Sequence, residues 1–123
     1  MANTNRTRGH NYERKIVKEL QEIYKDTDIC TSRSESKKLD DAKIDIADPN
    51  NSMDYYIQLK STQNVPPIKA IYETVGKKDK PLLIFWKMVE KRDKKQVSLG
   101  ESVIMPKDFF YKLLRERNDK DGT

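Results

Sequence analysis

The sequence predicts an α/β domain: a mixed central sheet of about five strands flanked by helices, in the order α-β-β-β-α-β-β-α. Three observations predict it. Apolar residues recur at helical spacing in two segments, Ile16, Val17, Leu20, Ile23 and Tyr24 in one and Phe109, Phe110, Leu113 and Leu114 in the other. Short β-prone segments lie between them, separated by turn signals such as Asp48-Pro49-Asn50-Asn51. Leu82-Leu83-Ile84-Phe85-Trp86 is a continuous apolar run, the pattern of a strand covered on both faces.

The elements follow in order. One domain spans residues 1–123, with polar, flexible ends at 1–8 and 118–123. A helix covers 11–25, with Asn11 as its N-cap. Residues 26–28 turn, 29–34 alternate weakly as a strand, and 35–41, charged and aperiodic, read as a mobile loop. Residues 43–47 form a short strand, and 55–60 form a second that pairs back on it as a hairpin. Val65-Pro66-Pro67 breaks the chain. Ile68, Ile71, Tyr72 and Val75 then fall at helical spacing. A basic turn at 77–80 precedes the central run, and a charged hairpin turn at 91–95 follows it. The last strand, 97–105, is interrupted at Gly100, and Pro106 opens the final helix, whose apolar stripe would cover the sheet or a dimer interface.

Composition narrows the function. The 123 residues are 35% hydrophobic and 37% charged, so the core is small and the surface heavily charged. Lys and Arg number 25 against 20 Asp and Glu, giving +5. Such a balance suits a polyanionic partner, although solubility alone accounts for it in many small proteins. The single cysteine, Cys30, rules out an intramolecular disulfide and a Cys-based zinc site. The single histidine, His10, rules out sites that need two. No apolar leader opens the chain and no stretch approaches the ~20 apolar residues of a membrane span. The expectation is a cytoplasmic protein, in the nucleoid or, for a viral chain, the host cytoplasm, with no membrane partner.

Four polar residues stand out against this pattern. Glu13 shares the apolar stripe of the first helix, although the first turn of a helix also favours acids. Asp45 lies between Ile44 and Ile46 in a short strand and should point away from both. Gln58 and Lys60 point opposite to Ile57 and Leu59, together with Tyr56. Each is individually compatible with a half-exposed strand. On paired strands of one hairpin, Asp45 and Gln58 would offer two oxygens to a hard divalent ion, with an ammonium beside them.

Asp45, twelve residues, then Gln58-Leu59-Lys60, preceded by an acidic helix, resembles the PD-(D/E)xK nuclease superfamily. A longer likeness is to archaeal-type Holliday-junction resolvases. Arg8-Gly9-His10-Asn11-Tyr12-Glu13-Arg14 resembles the start of their first helix, and Thr31-Ser32-Arg33-Ser34-Glu35-Ser36 their Arg/Ser-rich strand end and loop. Ile44-Asp45-Ile46 and Ile57-Gln58-Leu59-Lys60-Ser61 resemble their Asp and Glu-x-Lys strands. The likeness runs from about residue 6 to 115. It departs at Gln58, where the superfamily usually has Glu, and at Ile44, where it has Pro.

The resemblance implies Mg²⁺- or Mn²⁺-dependent cleavage of branched or four-way DNA by a homodimer. Asp45, Gln58, Glu13 and the Leu59 carbonyl would be metal ligands, and Lys60 would position the nucleophile. Ser34 would be the loop serine, with Ser36 a competitor. Arg6, Arg8, His10, Arg14, Arg33, Lys37 and Lys38 would contact phosphates. Two rivals remain: another repair or restriction nuclease of the superfamily, and a DNA-binding relative that lost its chemistry at Gln58. A restriction enzyme would also need a target-recognition domain, for which 123 residues leave no room.

Overall fold

The computed structural model describes residues 4–121, with side chains described for 9–120. The elements are α1 (Thr4–Tyr24), β1 (Cys30–Thr31), α2 (Ser32–Glu35), α3 (Lys37–Asp41), β2 (Ile46–Ala47), β3 (Tyr56–Thr62), α4 (Ile68–Thr74), β4 (Leu82–Arg92), β5 (Lys95–Ile104) and α5 (Lys107–Asp121). This is the expected order with two short helices inserted after β1.

The domain is mixed α/β, but its five strands do not form one sheet. β1 and β2 make an antiparallel pair, while β3, β4 and β5 make a three-stranded mixed sheet in that order. β3 runs parallel to β4, with Tyr56 opposite Leu82 and Thr62 opposite Met88. The expected hairpin between the Asp45 strand and β3 is therefore absent. The Asp45 N–H donates to the Ile57 carbonyl (2.9 Å), which would begin a ladder. The next donor on that edge, the Leu59 N–H, goes instead to the Asp45 carboxylate (2.7 Å). Once a side chain has taken the donor, the ladder has nowhere to continue.

Two apolar clusters lie on opposite sides of the β3–β4 pair. On one side Tyr12, Ile16 and Leu20 of α1 pack with Ile29, Ile46, Met53 and Ile57. On the other, Ile71 of α4 and Val75 just after it pack with Ile44, Leu82 and Ile84. Coverage of both faces explains why Leu82, Leu83 and Ile84 are all buried. Ile44 and Ile46 fall in different clusters, so the expectation that Asp45 points away from both on an alternating strand is corrected. The strand begins only at Ile46, and Asp45 is its lead-in residue.

Local chemistry sets the helix ends. α1 starts seven residues before Asn11, so Asn11 is not its cap but an exposed mid-helix residue that accepts from Arg14 (3.3 Å). It ends with Lys25 at φ 53° and the Asp26 N–H bonded to the Gln21 carbonyl (3.1 Å), a Schellman closure. The stretch read as a mobile loop holds α3, whose cap is Ser36, its Oγ accepting from the Leu39 N–H (3.3 Å). α3 buries none of its residues fully, so it carries no apolar period to read. It closes like α1, with Lys43 at φ 68° and the Ile44 N–H bonded to Leu39 (3.1 Å). Gly76 then pins the exit: its N–H donates to the Ala42 carbonyl (2.8 Å), and a Cβ there would sit 2.9 Å from Ala42 Cα. These closures deliver Asp45 to the β3 edge.

Among the described residues of α5 only Phe109 is buried, and its ring meets Tyr55 edge-on at 5.4 Å. Phe110, Tyr111, Leu113 and Leu114 are exposed. Among the described residues, no helix is long and apolar enough to cross a membrane.

Candidate active site

Asp45 is held by its backbone from two sides. Its N–H donates to Ile57 of β3, and its carbonyl accepts from the Ser32 N–H at the start of α2 (2.9 Å each). It is the tie between the two sheets. Among the described residues its carboxylate receives one hydrogen bond, from Leu59. Burial pushes its pKa up to about 6; the Leu59 N–H offsets this, Glu13 adds to it, and Lys60 offsets it again. Asp45, Glu13 and Lys60 therefore share one electrostatic environment. Such a carboxylate is short of donors and costly to keep charged without a cation.

Glu13 lies midway along α1, next to the buried Tyr12. Its side chain is 14% exposed, and Arg33 of α2 covers it, Nη2 and Nε both donating to Oε2 (2.6 and 3.1 Å). Two donors on one oxygen leave the other carboxylate oxygen outside the pair. Lys60 follows Leu59 on β3, half-buried, and among the described residues no ion pair engages it.

Gln58 is buried, and its Oε1 has no hydrogen-bond partner among the described residues. A buried amide oxygen without a donor is a costly feature that an incoming cation or water would relieve. Among the described residues no hydrogen bond joins Gln58 to Asp45, so the two are neighbours through Leu59 rather than contacts. N–H and C=O of one strand residue point to the same edge. The Leu59 carbonyl therefore faces the Asp45 side. The donor set fits a hard divalent ion in kind: a desolvated carboxylate, an orphaned amide oxygen, a backbone carbonyl and a second carboxylate. Among the described residues, no three His, Cys, Asp or Glu converge to hold a metal.

The loop serines are placed differently from one another. Ser34 is exposed, donates to the Thr31 carbonyl (2.9 Å) and touches Thr31 Oγ1 (3.0 Å), a local turn. Ser36 caps α3. Ser32, which sequence reasoning passed over, is fully buried, its Oγ without a partner among the described residues and its N–H donating to the Asp45 carbonyl. Nothing in the periodicity marked it, because the turn from β1 into α2 has no sequence repeat.

Of the expected phosphate contacts, Arg33 is engaged with Glu13, Arg14 with Asn11, and Lys37 and Lys38 are exposed on α3. His10 is half-buried in α1. The side chains of Arg6 and Arg8 lie outside the described ones. Comparison with protein-family models, with curated proteins and with solved structures found no match.

Proposed function

We propose that the chain is a metal-dependent endodeoxyribonuclease of the PD-(D/E)xK kind, acting on branched DNA as a homodimer in the manner of a Holliday-junction resolvase. The observation that carries this reading is Asp45. It is desolvated, has a raised pKa, and accepts from the N–H of Leu59 on β3, the residue after Gln58, whose buried Oε1 has no hydrogen-bond partner among the described residues. Perturbed, under-satisfied acids of this sort concentrate at functional sites.

Asp45 and the Gln58 amide oxygen would hold Mg²⁺ or Mn²⁺, with the Leu59 carbonyl and Glu13 as further donors. The ion, when bound, supplies neutralisation of the charge that builds on a phosphate under attack. Lys60 would orient the attacking water through its N–H donors and stabilise a phosphate oxygen. Arg33 would hold Glu13 in place. The neutral amide at position 58 and the lack of a three-residue acid cluster among the described residues favour one second reading, a DNA-binding relative without cleavage.

The test is cleavage of a labelled four-way junction against a matched linear duplex with Mg²⁺ or Mn²⁺, for wild type and Asp45→Ala. Paired nicks on the junction alone, lost in the variant, are the expected result. Cleavage of both substrates would move the reading to another nuclease of the superfamily. Binding without cleavage under either metal would leave the non-catalytic relative.

A further inference from the structure

We propose that the outer half of the β4–β5 hairpin is an arm that grips the backbone of a DNA duplex about half a helical turn from the bond that is cut. This rests on the reading of Asp45 and Lys60 as the site of a DNA phosphodiester.

The β3–β4 ladder stops at Thr62 opposite Met88. β4 and β5 continue without it, from Val89 opposite Ser98 to Arg92 opposite Lys95. Beyond Val89 no residue of the ribbon is fully buried, and Glu90 and Val97, opposite each other, are half-buried, so no apolar core explains its length. A bare two-stranded ribbon is marginal on its own. Its end is made firm by local geometry. Asp93 and Lys94 both have positive φ (48° and 68°), the two-residue type I′ turn that matches strand twist. At its base a bulge brings Gly100, at φ 131°, opposite Met88.

The charge on this arm is one-sided. Lys91, Arg92, Lys94 and Lys95 stand against Glu90 and Asp93. Glu90 is spent on Arg92 (2.5 Å). Among the described residues no ion pair engages Lys91, Lys94 or Lys95. Residues 91–96 contain no apolar side chain, which leaves nothing to insert into a lipid layer or to anchor a protein interface. A dense polyanion is the partner this chemistry fits.

The register places the arm relative to the site. Lys60 stands opposite Trp86, and the strands are parallel, so both run from the site toward the arm. From Trp86 to Arg92 is six residues, about 20 Å of strand. That equals roughly six base pairs of axial rise at about 3.4 Å each. A duplex held at Lys60 and lying along the strands passes under the tip. The arm's lysines then reach phosphates without reading sequence.

The test replaces Lys91, Arg92, Lys94 and Lys95 together with Gln and measures binding to a 24-base-pair duplex across a salt series, in chelator to prevent cleavage. Expected is at least a tenfold loss of affinity at low salt and a slope of log K against log salt shallower by about three. A matched variant with Lys69, Lys78, Lys107 and Arg115 replaced should lose much less. Equal losses in the two variants, or an unchanged slope in the arm variant, would overturn the proposal. Both sets are exposed, and unchanged thermal melting confirms folding in each. The site reading is judged separately, by Asp45-dependent cleavage: an inert arm with cleavage intact removes the arm alone, and a gripping arm without cleavage removes the nuclease alone.

Discussion

Two aspartates on opposite sides of β1 show how differently this chain treats buried acid. Asp26, just after α1, accepts from Ser52 Oγ (2.6 Å), the Asp28 N–H (3.0 Å) and Asn50 Nδ2 (3.0 Å). Those donors, led by Ser52, hold its pKa below the usual value. Asp48 is likewise satisfied, by the Ser52 and Met53 N–H groups (2.9 and 2.7 Å). Asp45 has one donor among the described residues, the Leu59 N–H, and a pKa pushed up to about 6 by burial. For Asp26 the donors outweigh the cost of burial, whereas for Asp45 burial outweighs the Leu59 donor.

The sharpest break in that comparison is Asp45→Asn. Asn keeps an acceptor for the Leu59 N–H but removes the charge, so cleavage should fall to background. Stability should move the other way. Asp45 titrates higher in the fold than in the unfolded chain, so the folded state binds the extra proton between the two values. Its contribution is therefore fully present below about pH 4 and lost as pH rises through about 6. In chelator, wild type should lose stability relative to the Asn variant between pH 4 and pH 7, by up to about 3 kcal/mol for a shift of this size. Parallel urea curves at the two pH values measure it. A variant that loses stability at pH 7 would mean that Asp45 is structural, like Asp26.

Gln58 should behave as the second under-satisfied group. Replacing it by Leu removes a buried oxygen with no partner, and should stabilise the metal-free protein by about 1 kcal/mol. Replacing it by Glu puts a charged oxygen in place of the neutral amide and, on the proposed reading, should tighten Mn²⁺ binding about tenfold, read by calorimetry. Destabilisation by Leu would show that the amide has a partner in solution. For contrast, Asp26→Ala should lower the melting midpoint by several degrees and leave Mn²⁺ binding unchanged, because it removes the acceptor shared by Ser52, Asn50 and the Asp28 N–H in a finished turn.

What was legible in the sequence tracks what was periodic. The α1 stripe and the run at 82–86 were visible because core faces repeat, and Asp45, Gln58 and Lys60 stood out because polar residues interrupt that pattern; their reading as one site belongs to the proposal. α3 was not, since Ser36 caps a helix that buries no residue fully. The split of the sheet was not, because it depends on one N–H choosing a carboxylate over a carbonyl. The outer hairpin was half legible: the turn at 91–95 was expected, but β4 running to Arg92 was not, since polar strands exposed on both faces carry no period-2 signal. Ser32 shows the limit for the site, because its burial follows from the path of β1 into α2 and not from its neighbours in sequence.

The Glu13–Arg33 pair gives the smallest effect and an asymmetric one. Glu13 is 14% exposed and Arg33 38%. Removing Arg33 leaves a carboxylate partly buried beside Asp45 with no counter-charge, whereas removing the charge of Glu13 leaves a guanidinium that can turn to water. Arg33→Gln should therefore cost about 1–2 kcal/mol and Glu13→Gln under about 1 kcal/mol. Half of the comparison then reverses on adding Mn²⁺. The cation supplies the charge that Arg33 gave, so the Arg33→Gln variant should regain stability with metal more than wild type gains, while Glu13→Gln should gain less. Equal costs for the two substitutions, unmoved by Mn²⁺, would make the pair an ordinary surface contact and leave Asp45 without its second carboxylate.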